Sequence, residues 1–485
     1  MPRMLHPFFL ILLLLWGATP WQQGHALYSD LPEMGDTTGN LLSREEEQRI
    51  GAEFMRNVRQ NLTLLDDPEI DGYLQDLGGR LVSHSDRAGG DFTFFIVQDP
   101  RINAFAAPGG YIGVNSGLIL STESESELAA VLAHEIAHVT QRHLARASEA
   151  ASRMNLPMTA AILAAIILGG QDPDLTQAAI TAAVAGSTQQ MINFTRSNEK
   201  EADRVGIRLL SQAGFDPVAM PSFFRKMLPS DRLYRDVLPD FLKTHPVTLE
   251  RISDSENRAA QLKKGSTRKS NRYLLTRAKL KVLLSGSPRQ AMDYFGERDG
   301  EAAKYGYALA LNRAGRYQEA RRIIRDLLER NPATMAYQLA LARIEADAGR
   351  VEPALEIYRR NLRLYPLDAT LTIEYSTTLL QAGQAAEARQ QLHRYLAARE
   401  ASPRIYRLLA QAEKTAGFPV ASFRAMAEYY YLEGLTLEAL RQLRHALAVQ
   451  GISRYDSAAI KARMRQLREQ AALEAGSRRE KQGPR

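Results

Sequence analysis

Gly315, Gly349, Gly383 and Gly417 stand 34 residues apart, and this period constrains the fold more than any other feature of the chain. Ala320, Ala354 and Ala388 follow the first three glycines by five residues, with Ser422 in the fourth place, and Pro332 and Pro366 recur at the same period. Between these landmarks the sequence reads as pairs of helices, with glycine at the turn and alanine where two helices approach closely. Such a pair cannot bury its own apolar face, so neighbours must stack into a curved array. A shorter unit around Gly286 and Ala291 precedes the regular ones, and Gly434 with Ala439 begins a last one. From Tyr273 onward the expectation is an all-α solenoid, a form that binds proteins far more often than it catalyses.

Charge divides the chain at the same place. From Gln261 to the end there are 40 Lys+Arg against 23 Asp+Glu, or +17, which leaves 22 against 32, or −10, for everything before. Opposite signs suggest two modules, with Gln261–Asn271 (QLKKGSTRKSN) as the hinge and a polar tail from Ser477 that frays. The basic faces would steer acidic partners, approach an anionic membrane surface, or simply be solvated helix exteriors. Segments such as Gly315-Arg316-Tyr317-Gln318-Glu319-Ala320 followed by Asn331-Pro332 resemble tetratricopeptide repeats.

The amino terminus reads as an address. Arg3 is followed by the apolar run Pro7–Trp16 and then by Gly24 and Ala26, the small residues a signal peptidase requires. The apolar core is half of the ~20 residues needed to cross a bilayer, so cleavage after Ala26 is expected. In a bacterial cell the mature chain would be periplasmic, where nucleic acid is not an available partner. The expected layout is a signal peptide over 1–26, a catalytic domain over 27–262 and the repeats over 263–485.

Within the middle segment, Leu42–Ser83 reads as helical, with Ser43 and Glu46 spaced as a capping box. Phe92–Val97 and Asn103–Ala107 read as strands, and Pro108-Gly109-Gly110 turns the chain into a last strand at Tyr111–Val114. Glu123 to about Ala151 is expected to be one long helix, and Ser187–Ala213 another. Met158–Gly170 is almost wholly apolar but too short to span a membrane. It is either a buried or cleft-covering hairpin, or a segment making peripheral contact with lipid or an unfolded client.

The informative string is Ala133-His134-Glu135-Ile136-Ala137-His138. Histidines at i and i+4 lie about 40° apart around a helix, so both imidazoles face one point and can share a metal. A zinc ion there would acidify a water, and Glu135 stands beside it to take the proton. The chain has no cysteine, so any metal must be held by His, Asp and Glu. A third ligand is therefore needed from elsewhere, and Ser197–Arg204 (SNEKEADR) is the source. Glu199 and Asp203 share a helix face, whereas Glu201 points about 200° away from Glu199. Glu199 is assigned as ligand; Asp203 would orient a ligand or help protonate the leaving amine. His143, nine positions after His134, is expected to turn about 180° away from the pair and to be structural.

The pattern His134-Glu135-x-x-His138 followed by Glu199-x-x-Ala202-Asp203 resembles the zinc peptidases related to HtpX and the CaaX prenyl proteases. With its repeats and no membrane-spanning run after the signal, the chain is similar to their soluble, exported branch, the β-barrel assembly-enhancing proteases. That resemblance implies a mainly α protein: an α+β zincin-type metallopeptidase domain with a small sheet, then the repeat solenoid. It implies that Asn103, Ala104, Phe105 and Ala106 form an edge strand that holds an extended peptide by strand addition. His245, in Thr244-His245-Pro246, would by pattern alone be a surface or capping residue; the resemblance implies a fourth zinc ligand that keeps the enzyme latent. The implied activity is a zinc endopeptidase with a chaperone-like role, acting on stalled outer-membrane β-barrel proteins. The repeats would engage clients or the β-barrel assembly machinery. A non-catalytic scaffold is the alternative, but it would not require His134, Glu135, His138, Glu199 and Asp203 together.

Overall fold

In the computed structural model, residues 43–152, 188–228, 240–263, 265, 270–399 and 402–482 are described. The signal read over 1–26 and the apolar run 158–170 lie outside them. No helix of the described residues is long and apolar enough to cross a membrane.

The chain opens with α1 (Arg44–Asn61), where the Ser43 hydroxyl accepts from the Glu46 N–H at 3.1 Å. The helical stretch expected over Leu42–Ser83 is divided into two helices, because α2 (Pro68–Val82) starts afresh. Asp67 caps α2 by accepting from the Glu69 and Ile70 N–H groups, and Pro68 occupies the first turn, where its missing N–H costs nothing. Between the helices, Leu64 bridges to Val97.

Three strands follow: β1 (Thr93–Val97), β2 (Ala104–Ala107) and β3 (Tyr111–Asn115), in the order β1-β3-β2. β1 runs parallel and β2 antiparallel to β3. The Pro108–Gly110 turn between β2 and β3 requires φ of 75° and 82° at Gly109 and Gly110, which only glycine adopts freely. β2 is thus an edge strand, lying against the central helix.

After a short α3 (Ser116–Ser121), that central helix is α4 (Glu125–Thr140), capped by Ser124 and buried from Ser126 through Ala137. The long helix expected to Ala151 breaks here. Gln141 leaves helical geometry, and Arg142 adopts φ 52°, the one positive φ at a non-glycine among the described residues. The Arg142 guanidinium is held by Glu47 at 3.0 Å, and α5 (His143–Ser152) departs in a new direction. Packed along α4 is α6 (Thr188–Gln212). A Cβ on Gly206 would stand 3.2 Å from the Ala133 carbonyl, so glycine there lets the two helices close up beside His134. α7 (Ala219–Met227), α8 (Asp240–Thr244) and α9 (Leu249–Gln261) complete this region.

The repeats begin with α10 (Asn271–Leu284), followed by paired helices from Pro288–Gly296 to Arg454–Gln482. The turn glycines 315, 349, 383 and 417 all have φ between 75° and 86°, and Ala320, Ala354 and Ala388 are fully buried. The described residues on either side of the hinge expected at Gln261–Asn271 make contacts between the two parts. Gly265 packs against the Phe215 backbone, Tyr273 is buried with its hydroxyl donating to the Thr122 carbonyl at 2.7 Å, and Tyr273 and Leu280 belong to the same core as α4.

The start of α2 is gripped from several repeats. Lys279 of α10, only 2% exposed, lies 2.8 Å from Asp67 and 2.6 Å from Glu69. The Thr370 hydroxyl donates to the Pro68 carbonyl at 2.9 Å, and Arg404 pairs with Asp66 at 2.8 Å. The next turn holds Asp71, whose carboxyl is pushed up to about 8 by burial and by Asp67 and Asp66, against the pull of Arg404 and Lys279. A carboxyl raised on folding supports the fold best while protonated, and that support is lost as pH rises from the unfolded value to the folded one. Asp71→Asn removes the titration. Its stability advantage over the parent is expected to grow from about pH 4 to about pH 8 and then level off, at a discounted ~1–2 kcal/mol. Urea melts across that range measure it; a pH-independent difference would refute the assignment.

Candidate metal centre

α4 and α6 bring the first three of the named groups together, and the turn after α8 brings the fourth. One ligand atom each from His134, His138, Glu199 and His245 lies within 4.8 Å of all the others. His134 Nε2 is 3.0 Å from His138 Nε2, 3.4 Å from Glu199 Oε2 and 3.3 Å from His245 Nδ1. Glu199 Oε1 is 3.3 Å from His138 Nε2 and 3.0 Å from His245 Nδ1. For metal–ligand bonds of about 2.0–2.1 Å, the corners of a tetrahedral site stand about 3.3–3.4 Å apart. The quoted distances, 3.0–3.4 Å, lie at or a little below that figure, and the donor set of three imidazoles and one carboxylate suits zinc.

Electrostatics point the same way. Glu135, Glu199, Asp203, His134 and Arg251 are all buried. Burial works against a charge on His134, but Asp203 and Glu199 outweigh it and push its metal-free value up to about 10. Three carboxylates buried close together favour positive charge nearby, part of which Arg251 supplies to Glu199 and Asp203. His138 is driven the other way, down to about 3, chiefly by burial, and so stays neutral as a ligand must.

Asp203 does not touch the ligand point. Its Oδ1 lies 3.0 Å from His134 Nδ1, on the ring edge facing away from the other ligands. Arg251, which was not among the residues expected at the site, fixes Asp203 with two hydrogen bonds of 2.7 and 2.8 Å. It also reaches Glu199 at 3.0 Å. Its only sequence cue is a place in the first turn after the Thr248 cap of α9.

Glu135 is 1% exposed, and its Oε1 has no hydrogen-bond partner among the described residues, although His245 Nε2 stands 3.5 Å away. Burial raises its carboxyl above the ordinary range, opposed by His245 and His134, while the Ala106 N–H holds it in place. That contact sorts the four edge-strand residues. The Asn115 N–H donates to the Asn103 carbonyl, so Asn103 and Phe105 spend their backbone groups on β3, and Ala104 and Ala106 turn theirs outward.

The segment carrying His245 lies across this edge. The Phe241 N–H donates to the Ile102 carbonyl at 3.1 Å, just before β2. The Phe241 ring is fully buried, 5.7 Å from Phe223 and 5.0 Å from His245, in an apolar pocket that also includes Val131, Met220 and Phe224.

His143 departs from expectation. The break at Arg142 cancels the half-turn offset of a continuous helix, and the His143 ring lies 4.7 Å from that of His138. It is buried and contacts Glu201, the carboxylate on the far side of α6 from Glu199.

The chain matches the model of peptidase family M48 over residues 68–259, and that of a tetratricopeptide repeat over residues 301–344. It is 37% identical over 449 residues to the β-barrel assembly-enhancing protease of Escherichia coli O157:H7, covering 90% of this chain and 91% of that one. With the protein of the same name from Yersinia pestis it shares 36% identity over 448 residues, again covering 90% and 91%. The mitochondrial metalloendopeptidase OMA1 of Schizosaccharomyces pombe is 30% identical over 184 residues, 38% of this chain and 51% of that one.

Proposed function

The chain belongs to peptidase family M48, alongside the β-barrel assembly-enhancing proteases, and from that premise we propose a periplasmic zinc endopeptidase that acts on outer-membrane β-barrel proteins whose assembly has stalled. His134, His138 and Glu199 would hold the zinc, with His245 as a fourth ligand at rest. The convergence of four donor atoms, one each from His134, His138, Glu199 and His245, carries this reading. When bound, zinc polarises the scissile carbonyl and acidifies the attacking water. Glu135 takes the proton of that water on Oε1 and returns it to the leaving nitrogen, and its burial keeps it basic enough to do so. Asp203, pinned by Arg251, stands 3.0 Å from His134 Nδ1 and would orient that ring. Once the covering α8 segment moves, Ala104, and Ala106 through its carbonyl, would offer outward backbone groups to an extended substrate strand, which suits unfolded β-barrel segments.

His245 and Phe241 stand where a substrate would have to lie, so the resting enzyme is latent. A client displaces α8, and the repeats bring clients or the assembly machinery to the peptidase. The same strand-holding surface lends itself to chaperone-like help with barrels that are still able to fold. Export with cleavage after Ala26 would place the mature chain with these clients.

The test is metal analysis together with digestion of an unfolded outer-membrane barrel protein by the mature chain. About one zinc per chain and cleavage that stops on chelation are expected; metal-free, inactive protein would overturn the reading. His245→Ala is expected to raise the cleavage rate several-fold at unchanged zinc content. An equal or lower rate at full zinc occupancy would remove the latency.

A further inference from the structure

His134 has a carboxylate at its outer nitrogen, but His138 does not. Its Nδ1 instead faces His143 Nδ1 at 2.9 Å, His143 Nε2 lies 3.2 Å from Glu201 Oε2, and Glu201 Oε2 accepts from Arg146 at 2.6 Å. We propose that His143 and Glu201 are positioning residues for the metal, forming a relay that locks His138 in the tautomer whose Nε2 is free to bind. The inference rests on His138 being a metal ligand.

Proton placement carries the argument. Two facing Nδ1 atoms need one proton between them, and it can belong to either ring. If it belongs to His143, the neutral His138 carries its own proton on Nε2 and cannot ligate. If it belongs to His138, then Nε2 presents a lone pair to the metal and His143 Nδ1 is the acceptor. His143 then bears its proton on Nε2, where it needs an acceptor. Glu201 provides one, and Arg146 holds that carboxylate in place. The carboxylate therefore selects the ligating form of a residue it does not touch.

The backbone is arranged for this. A continuous helix would carry His143 to the opposite face, and the chain instead accepts a left-handed arginine at 142. Glu199, Glu201 and Asp203 then divide the work along one turn of α6: the first faces the ligand point, the second serves His138 through His143, and the third serves His134. Metal-binding histidines generally donate their second N–H to a partner, and loss of that partner typically costs 10–100-fold in metal affinity.

The experiment measures zinc affinity of the full mature chain by chelator competition, and the absorption spectrum of the cobalt-substituted protein. His143→Phe fills the space but accepts no hydrogen bond; His143→Asn is smaller, yet its Oδ1 can take the place of Nδ1. Affinity is expected to fall ~10–100-fold for His143→Phe, with an altered cobalt spectrum, and to recover substantially for His143→Asn. A merely structural histidine predicts the reverse order, since phenylalanine packs better. Equal affinities for parent and His143→Phe, or His143→Asn weaker than His143→Phe, overturn the relay. Should His143→Phe not fold, Glu201→Ala decides: a several-fold loss supports the relay and an unchanged affinity overturns it. His138→Ala separates the premise from the inference. If it binds zinc like the parent, the ligand assignment is at fault; if it alone loses zinc, only the relay is.

Discussion

Glu135→Gln is expected to reduce peptide hydrolysis by on the order of 10²–10⁴ while leaving zinc content and fold unchanged. Glutamine has the same shape and can keep the hydrogen bond from the Ala106 N–H, but it cannot take a proton. The Oε1 atom is buried, has no hydrogen-bond partner among the described residues, and lies at the ligand cluster without belonging to it. The loss should therefore fall on the chemical step, with substrate binding maintained. Cleavage kinetics alongside metal analysis test this. Parent-like rates would remove Glu135 from the chemistry, and loss of zinc would make it part of the metal's coordination.

Lys279→Met is expected to cost ~3–5 kcal/mol of stability, because it removes the cation in direct contact with both carboxylates and leaves only the longer-range attraction of Arg343. Lys279 is buried between Asp67 and Glu69, and methionine keeps most of the stem volume, so the change isolates the charge. Asp67 is also the cap of α2, so its neutralisation would loosen the first turn of that helix as well. Guanidinium melts read the effect as a lower midpoint. The loss should open the contact between α2 and the repeats before either melts alone. An unchanged midpoint would mean that water already screens the pair.

Much of the site was legible in sequence because helices repeat their geometry locally. An i, i+4 spacing puts His134 and His138 on one face whatever surrounds them, and it puts Glu199 and Asp203 together for the same reason. The 34-residue glycine period works likewise, since each turn glycine answers a local need for positive φ. His143 was misplaced by the same rule, which holds only while the helix continues. Nothing in Thr140-Gln141-Arg142 announces a break, for arginine is a poor left-handed residue and is held there by Glu47 from a distant helix.

The solenoid, the candidate metal-binding residue types and, through the absence of cysteine, a donor set limited to histidine and carboxylate were legible in the chain alone. Those depend on residue identity and short-range spacing. Folding alone brings Arg251 onto Asp203, Glu201 to His138 through His143, and the repeats onto α2 through Lys279. Each of these joins groups far apart in the chain. Burying one charge imposes its partner through desolvation, and that partner's position in sequence is set by how the helices pack.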